Sequence, residues 1–144
     1  PLQRVERFES QGRTHVPAGT NVDYQRIPPL SGPHYGGSTV DAGFYSERPA
    51  FGSLVHTLEH GAVVIYYDAG ALPDGAESHL RSLTEEYTGT WSSVVVVPHP
   101  EENPDSVVVL TAWRTRLTLD SYDRDAVMAF LAEYLGRGPE NPIR

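Results

Sequence analysis

Three short runs of β-branched and aromatic residues, 62–68, 92–97 and 107–113, constrain this fold more than any other feature of the chain. Runs of that length and composition read as buried strands. Between the first two lies a stretch, 74–87, whose apolar positions Ala76, Leu80, Leu83 and Tyr87 recur at helical spacing behind Pro73. After the third run comes 122–135, with Val127, Phe130, Leu131 and Tyr134 on one helical face. Asp120 or Ser121 caps that helix, and Gly136, Gly138 and Pro139 stop it. Asn103-Pro104-Asp105 forms a turn and predicts an antiparallel partner for the third run. A shorter helix over 54–60 is capped by Ser53 and closed by Gly61. The order is helix, strand, helix, strand, strand, helix. It predicts an α+β domain, a small and mostly antiparallel sheet with helices on one face, whose βαββα core is a relative of the split, ferredoxin-like arrangement.

The first third of the chain is different. Gly and Pro cluster there, and Pro28-Pro29 forbids a helix. Residues 5–10 read as a short strand or turn, 15–20 as a turn, and 21–26 as a short edge strand. The N-terminal third is therefore expected to be loop packed over a more regular body. At 144 residues the whole chain, 1–144, forms one domain with a sizeable core.

Charge and cysteine usage bound the chemistry. The net charge is -8 and all 11 basic residues are arginine, so a basic nucleic-acid surface is not expected. With no cysteine, thiolate metal sites, disulfides and cysteine nucleophiles are excluded. A metal here would use nitrogen and oxygen donors, with Met128 the sole sulfur. No run is long enough to span a bilayer, and nothing points to membrane contact by this domain. A start at Pro1 suggests that an upstream segment has been removed.

The chemistry concentrates in His56-Thr57-Leu58-Glu59-His60. On a helix His56 and His60 sit one turn apart on one face, a spacing that suits two ligands of one metal ion. His34 lies in a Gly/Pro-framed turn, 31–37, whose restricted backbone would fix the ring, and it makes a third ligand. Two histidines at this spacing are also common as packing or capping groups. Glu59 reads in two ways. His-x-x-Glu-His is the inverted zinc-peptidase pattern, with the Glu as base; alternatively Glu59 orients a histidine through its ring N–H. His15 is a possible outer partner, His79 a surface residue and His99 a loop residue. Tyr35, Tyr45, Tyr66, Tyr67 and Trp113 read as packing groups. No phosphate-binding glycine loop and no serine elbow is present.

Four segments carry a family resemblance: His15-Val16 with Gly19; Pro28-Pro29-Leu30-Ser31-Gly32-Pro33-His34-Tyr35; Val55-His56-Thr57-Leu58-Glu59-His60-Gly61; and Ala112-Trp113 with Phe130 and Gly138-Pro139-Glu140. The Ser-Gly-Pro-His and Val-His-Thr-Leu-Glu-His-Gly segments are the specific ones. The chain resembles the bacterial domain-of-unknown-function family 3105, which implies an extracytoplasmic protein, often tethered by an N-terminal membrane anchor that this chain lacks, and a histidine-centred site. Some relatives carry cysteines near 43–45 and at the C-terminus, and this chain has neither.

The expected function is an extracytoplasmic domain that holds one copper or zinc ion through His34, His56 and His60. Two alternatives stand beside it: a metal-dependent enzyme, either a hydrolase with Glu59 as base or a copper oxidase, and a metal-free interaction domain. The sequence names no protein partner.

Overall fold

The computed structural model describes residues 2–37, 39–101 and 104–139. Along the chain come β1 (Glu6–Arg7), β2 (His15–Val16), β3 (His34–Tyr35), β4 (Gly43–Phe44), α1 (Phe51–Glu59) and β5 (Val63–Tyr67). They are followed by α2 (Asp74–Glu86), β6 (Thr88–Gly89), β7 (Ser92–Pro98), β8 (Val108–Ala112), β9 (Thr115–Leu119) and α3 (Arg124–Tyr134). Among the described residues seven strands share one mixed sheet, in the order β1-β9-β8-β5-β7-β4 with β6 paired to the start of β7. Most neighbours are antiparallel; β5 and β4 each run parallel to β7. The fold is thus α+β, as the run pattern predicts. Asn103 and Glu140, read above in a turn and in the terminal motif, lie outside the described residues.

The three apolar runs form β5, β7 and β8 because both faces of the sheet are covered. Alternate residues feed two cores. Val63, Ile65, Val94, Val96 and Leu110 pack under Leu80 and Leu83 of α2 and Val127 and Phe130 of α3. Val64, Tyr66, Val95, Val97 and Val109 pack under Leu54 and Leu58 of α1. The expectation of helices on one face therefore holds for α2 and α3, while α1 lies on the opposite face. The reason is handedness. The β4–α1–β5 and β5–α2–β7 crossovers travel across the sheet in opposite directions, so right-handed connections put their helices on opposite sides.

Two further departures follow from β4. The split parallel unit is β4–α1–β5, with β7 inserted, whereas β5 and β7 are direct neighbours. The third run finds its antiparallel partners in β5 and β9 instead of β7. Strand β9 follows a two-residue turn at Trp113-Arg114, where Arg114 has a φ of 63°. The stretch 21–26 forms no strand, and 15–20 contains β2.

Helix ends also moved. Helix α1 begins at Phe51, without a side-chain cap, and α3 is capped by Asp123, whose carboxylate accepts from the Ala126 N–H at 3.2 Å. His79, read as a surface residue, is buried, and its Nδ1 shares a 2.5 Å hydrogen bond with the Tyr122 hydroxyl ahead of α3. Burial, and then Arg124 nearby, hold its pKa below the ordinary 6.5. The unfolded chain then takes up the proton more readily than the folded one, so stability falls as pH drops below 6.5 toward the folded value. Urea unfolding of metal-free protein at pH 7 and pH 5 checks this: a His79→Gln variant should show a shallower fall than wild type.

Candidate metal centre

The site is assembled by one helix and one pair of two-residue strands. Strands β2 and β3 pair in parallel with His15 opposite His34. The His34 N–H donates to the Thr14 carbonyl at 3.0 Å, and the Gly32 N–H to the Gly12 carbonyl at 2.9 Å. Helix α1 then approaches β3 closely. A Cβ built on Gly52 would lie 2.6 Å from the Tyr35 ring, so only glycine allows that distance. The approach places His56 and Glu59, three apart on one helix face, against His34. Ring centroids of His34 and His56 are 5.1 Å apart, and those of His15 and His34 4.9 Å.

His15, His34, His56 and Glu59 each offer one donor atom, and these atoms all lie within 4.8 Å of one another. His34, His56 and Glu59 are buried, while the His15 side chain is 54% exposed and closes the cluster on the solvent side. A tetrahedral ion with bonds of about 2.1 Å needs donors about 3.4 Å apart. Small inward movements reach that spacing, and the exposed His15 has room to make one.

The hydrogen bonding inside the cluster leaves a place for a cation. His34 Nδ1 lies 2.9 Å from the Gly32 carbonyl, which can only accept, so Nδ1 carries a proton. In the neutral ring Nε2 is then a bare lone pair. It faces Glu59 Oε1 at 3.1 Å, another lone pair, within a buried pocket. A second proton on the ring, a proton on the Glu59 carboxyl or a metal ion between them makes that contact favourable. The other Glu59 oxygen, Oε2, accepts from Arg13 Nε at 2.8 Å. Among the described residues His56 Nδ1 is buried without a hydrogen-bond partner. Burial lowers the His56 pKa, His60 and His34 lower it further, and Glu59 opposes them. A neutral imidazole is the form that binds metal.

His34 and His56 are brought together as expected. His60, read as the third ligand, is not among the four converging groups. It caps α1, lies edge-on to His56 at 4.8 Å, and stacks on Trp91 with centroids 4.5 Å apart and planes at 21°. The structure puts His15 beside His34 instead, and it sets Glu59 among the donors. His99 is not among the converging donors and lies in the loop expected, with Nδ1 accepting from the Glu101 N–H at 3.0 Å.

Fold and site together define an α+β domain with a buried histidine–carboxylate cluster that could hold a metal ion. The chain belongs to the family described as Protein of unknown function (DUF3105), which it matches over residues 15–143. All four cluster residues fall within that span. Comparison with curated proteins and with solved structures returned no match. Among the described residues no helix is long and apolar enough to cross a membrane.

Proposed function

We propose that this domain holds one divalent metal ion, copper or zinc, through His15, His34, His56 and Glu59. One observation carries the reading: the donor atoms of His15, His34, His56 and Glu59 converge within 4.8 Å of one another, and His34 Nε2 and Glu59 Oε1 meet at 3.1 Å in a buried setting. A metal ion satisfies both at once. Three imidazoles and a carboxylate suit copper(II) or zinc, and the set holds no sulfur to favour copper(I). The absence of cysteine fits an extracytoplasmic setting.

The geometry supports a ligand role for Glu59 over that of a base. Both of its oxygens already face partners. His60, the second histidine that an inverted peptidase motif uses, is stacked on Trp91. Equilibrium dialysis of metal-free protein against zinc or copper(II), followed by elemental analysis, tests the reading. One ion per chain is expected; protein that emerges without metal rejects it in favour of a metal-free interaction domain.

A further inference from the structure

Glu59 divides its carboxylate between two sides of the molecule. Oε1 meets His34 Nε2 at 3.1 Å and lies 3.9 Å from His15 Nε2. Oε2 is taken by Arg13 Nε at 2.8 Å. Arg13 and His15 stand two apart, the spacing that puts both side chains on the same side of an extended segment, here the side facing Glu59. Arg13 lies just outside the span over which the chain matches the family.

We infer that Arg13 is a positioning residue that holds Glu59 as a one-oxygen ligand and thereby selects small, four-coordinate metal ions over larger ones. The inference rests on the metal reading above. A free carboxylate can offer one oxygen or both. Ions that take six or more oxygen-type ligands use the second oxygen, whereas zinc is satisfied with one. A guanidinium bonded to Oε2 withdraws that oxygen and weakens the negative charge the site presents. Arg13 is about half exposed, so its removal leaves the core intact.

The test compares zinc and manganese(II) affinities by competition with a chromophoric chelator. Wild type, Arg13→Gln and Arg13→Lys proteins are measured. Arg13→Gln should lower the zinc-to-manganese affinity ratio at least about tenfold, the scale on which groups that orient a ligand act. Arg13→Lys retains a cation on Oε2 and should stay near wild type. A merely structural arginine would lower the melting temperature of both variants and leave the ratio alone, and an unchanged ratio in Arg13→Gln overturns the inference. If that variant does not fold, zinc-edge absorption on wild type decides: one short carboxylate oxygen is expected, and two equivalent oxygens refute it. Wild type that binds neither ion rejects the metal reading itself, an outcome distinct from intact binding with an unmoved ratio.

Discussion

A His56→Leu variant is expected to lose the metal-induced rise in melting temperature while its metal-free form unfolds no more easily than wild type. Both halves come from the same buried ring. Among the described residues His56 Nδ1 is buried with no hydrogen-bond partner, and such a group costs about 1–3 kcal/mol when nothing pairs with it. Leucine fills similar space without that penalty. A ligand that binds only the folded state at a hundred times its dissociation constant adds about 2.7 kcal/mol. For a domain of this size that is a rise of roughly 5–10 °C in wild type. Differential scanning fluorimetry with and without zinc or copper(II) measures both quantities. A variant that keeps the full rise removes His56 from the site. A metal-free variant that is strongly destabilised shows instead that the ring is held for packing.

The parts of this fold that are legible in the sequence are those whose signals are local. Helices α2 and α3 repeat every three or four residues, and β5, β7 and β8 are dense in β-branched side chains. Each could be read from its own window. The approach of His56 and Glu59 is equally local, since helical spacing alone sets it. The remainder of the site depends on register between distant segments. His15 reaches His34 only through the β2–β3 pair, two residues long and 19 positions apart in sequence, too short to leave a periodic trace. Arg13 meets Glu59 across 46 positions. His60 has the right spacing for a ligand, yet it is the capping residue, where the chain turns out of α1 and the ring goes to Trp91. Strand β4 is two residues long, and without it neither the position of α1 nor the order of the parallel strands can be read.

That turn out of α1 is also where one methyl group should do the most damage. Gly61 has a φ of 107°, a region that L side chains rarely adopt, and a Cβ there would lie 2.5 Å from the Trp91 carbonyl oxygen. The same peptide is locked from the other side, because the Gly136 N–H donates to the Gly61 carbonyl at 2.8 Å. A Cβ on Gly138 would in turn lie 2.5 Å from the Gly61 nitrogen. These contacts are all to backbone, so no side chain can swing away to relieve them. Gly61→Ala therefore carries two penalties, about 1–3 kcal/mol for the dihedral and a similar amount for the clash. Together they approach the whole stability of a marginal domain. Gly75 supplies the contrast: it lies in the first turn of α2, and a Cβ there meets nothing within 4 Å. Gly75→Ala should raise stability by about 0.5–1 kcal/mol through helix propensity. Urea denaturation of the two variants should thus move the midpoint in opposite directions. If Gly61→Ala leaves it within error of wild type, the positive φ and the approach of the Trp91 carbonyl do not constrain this turn.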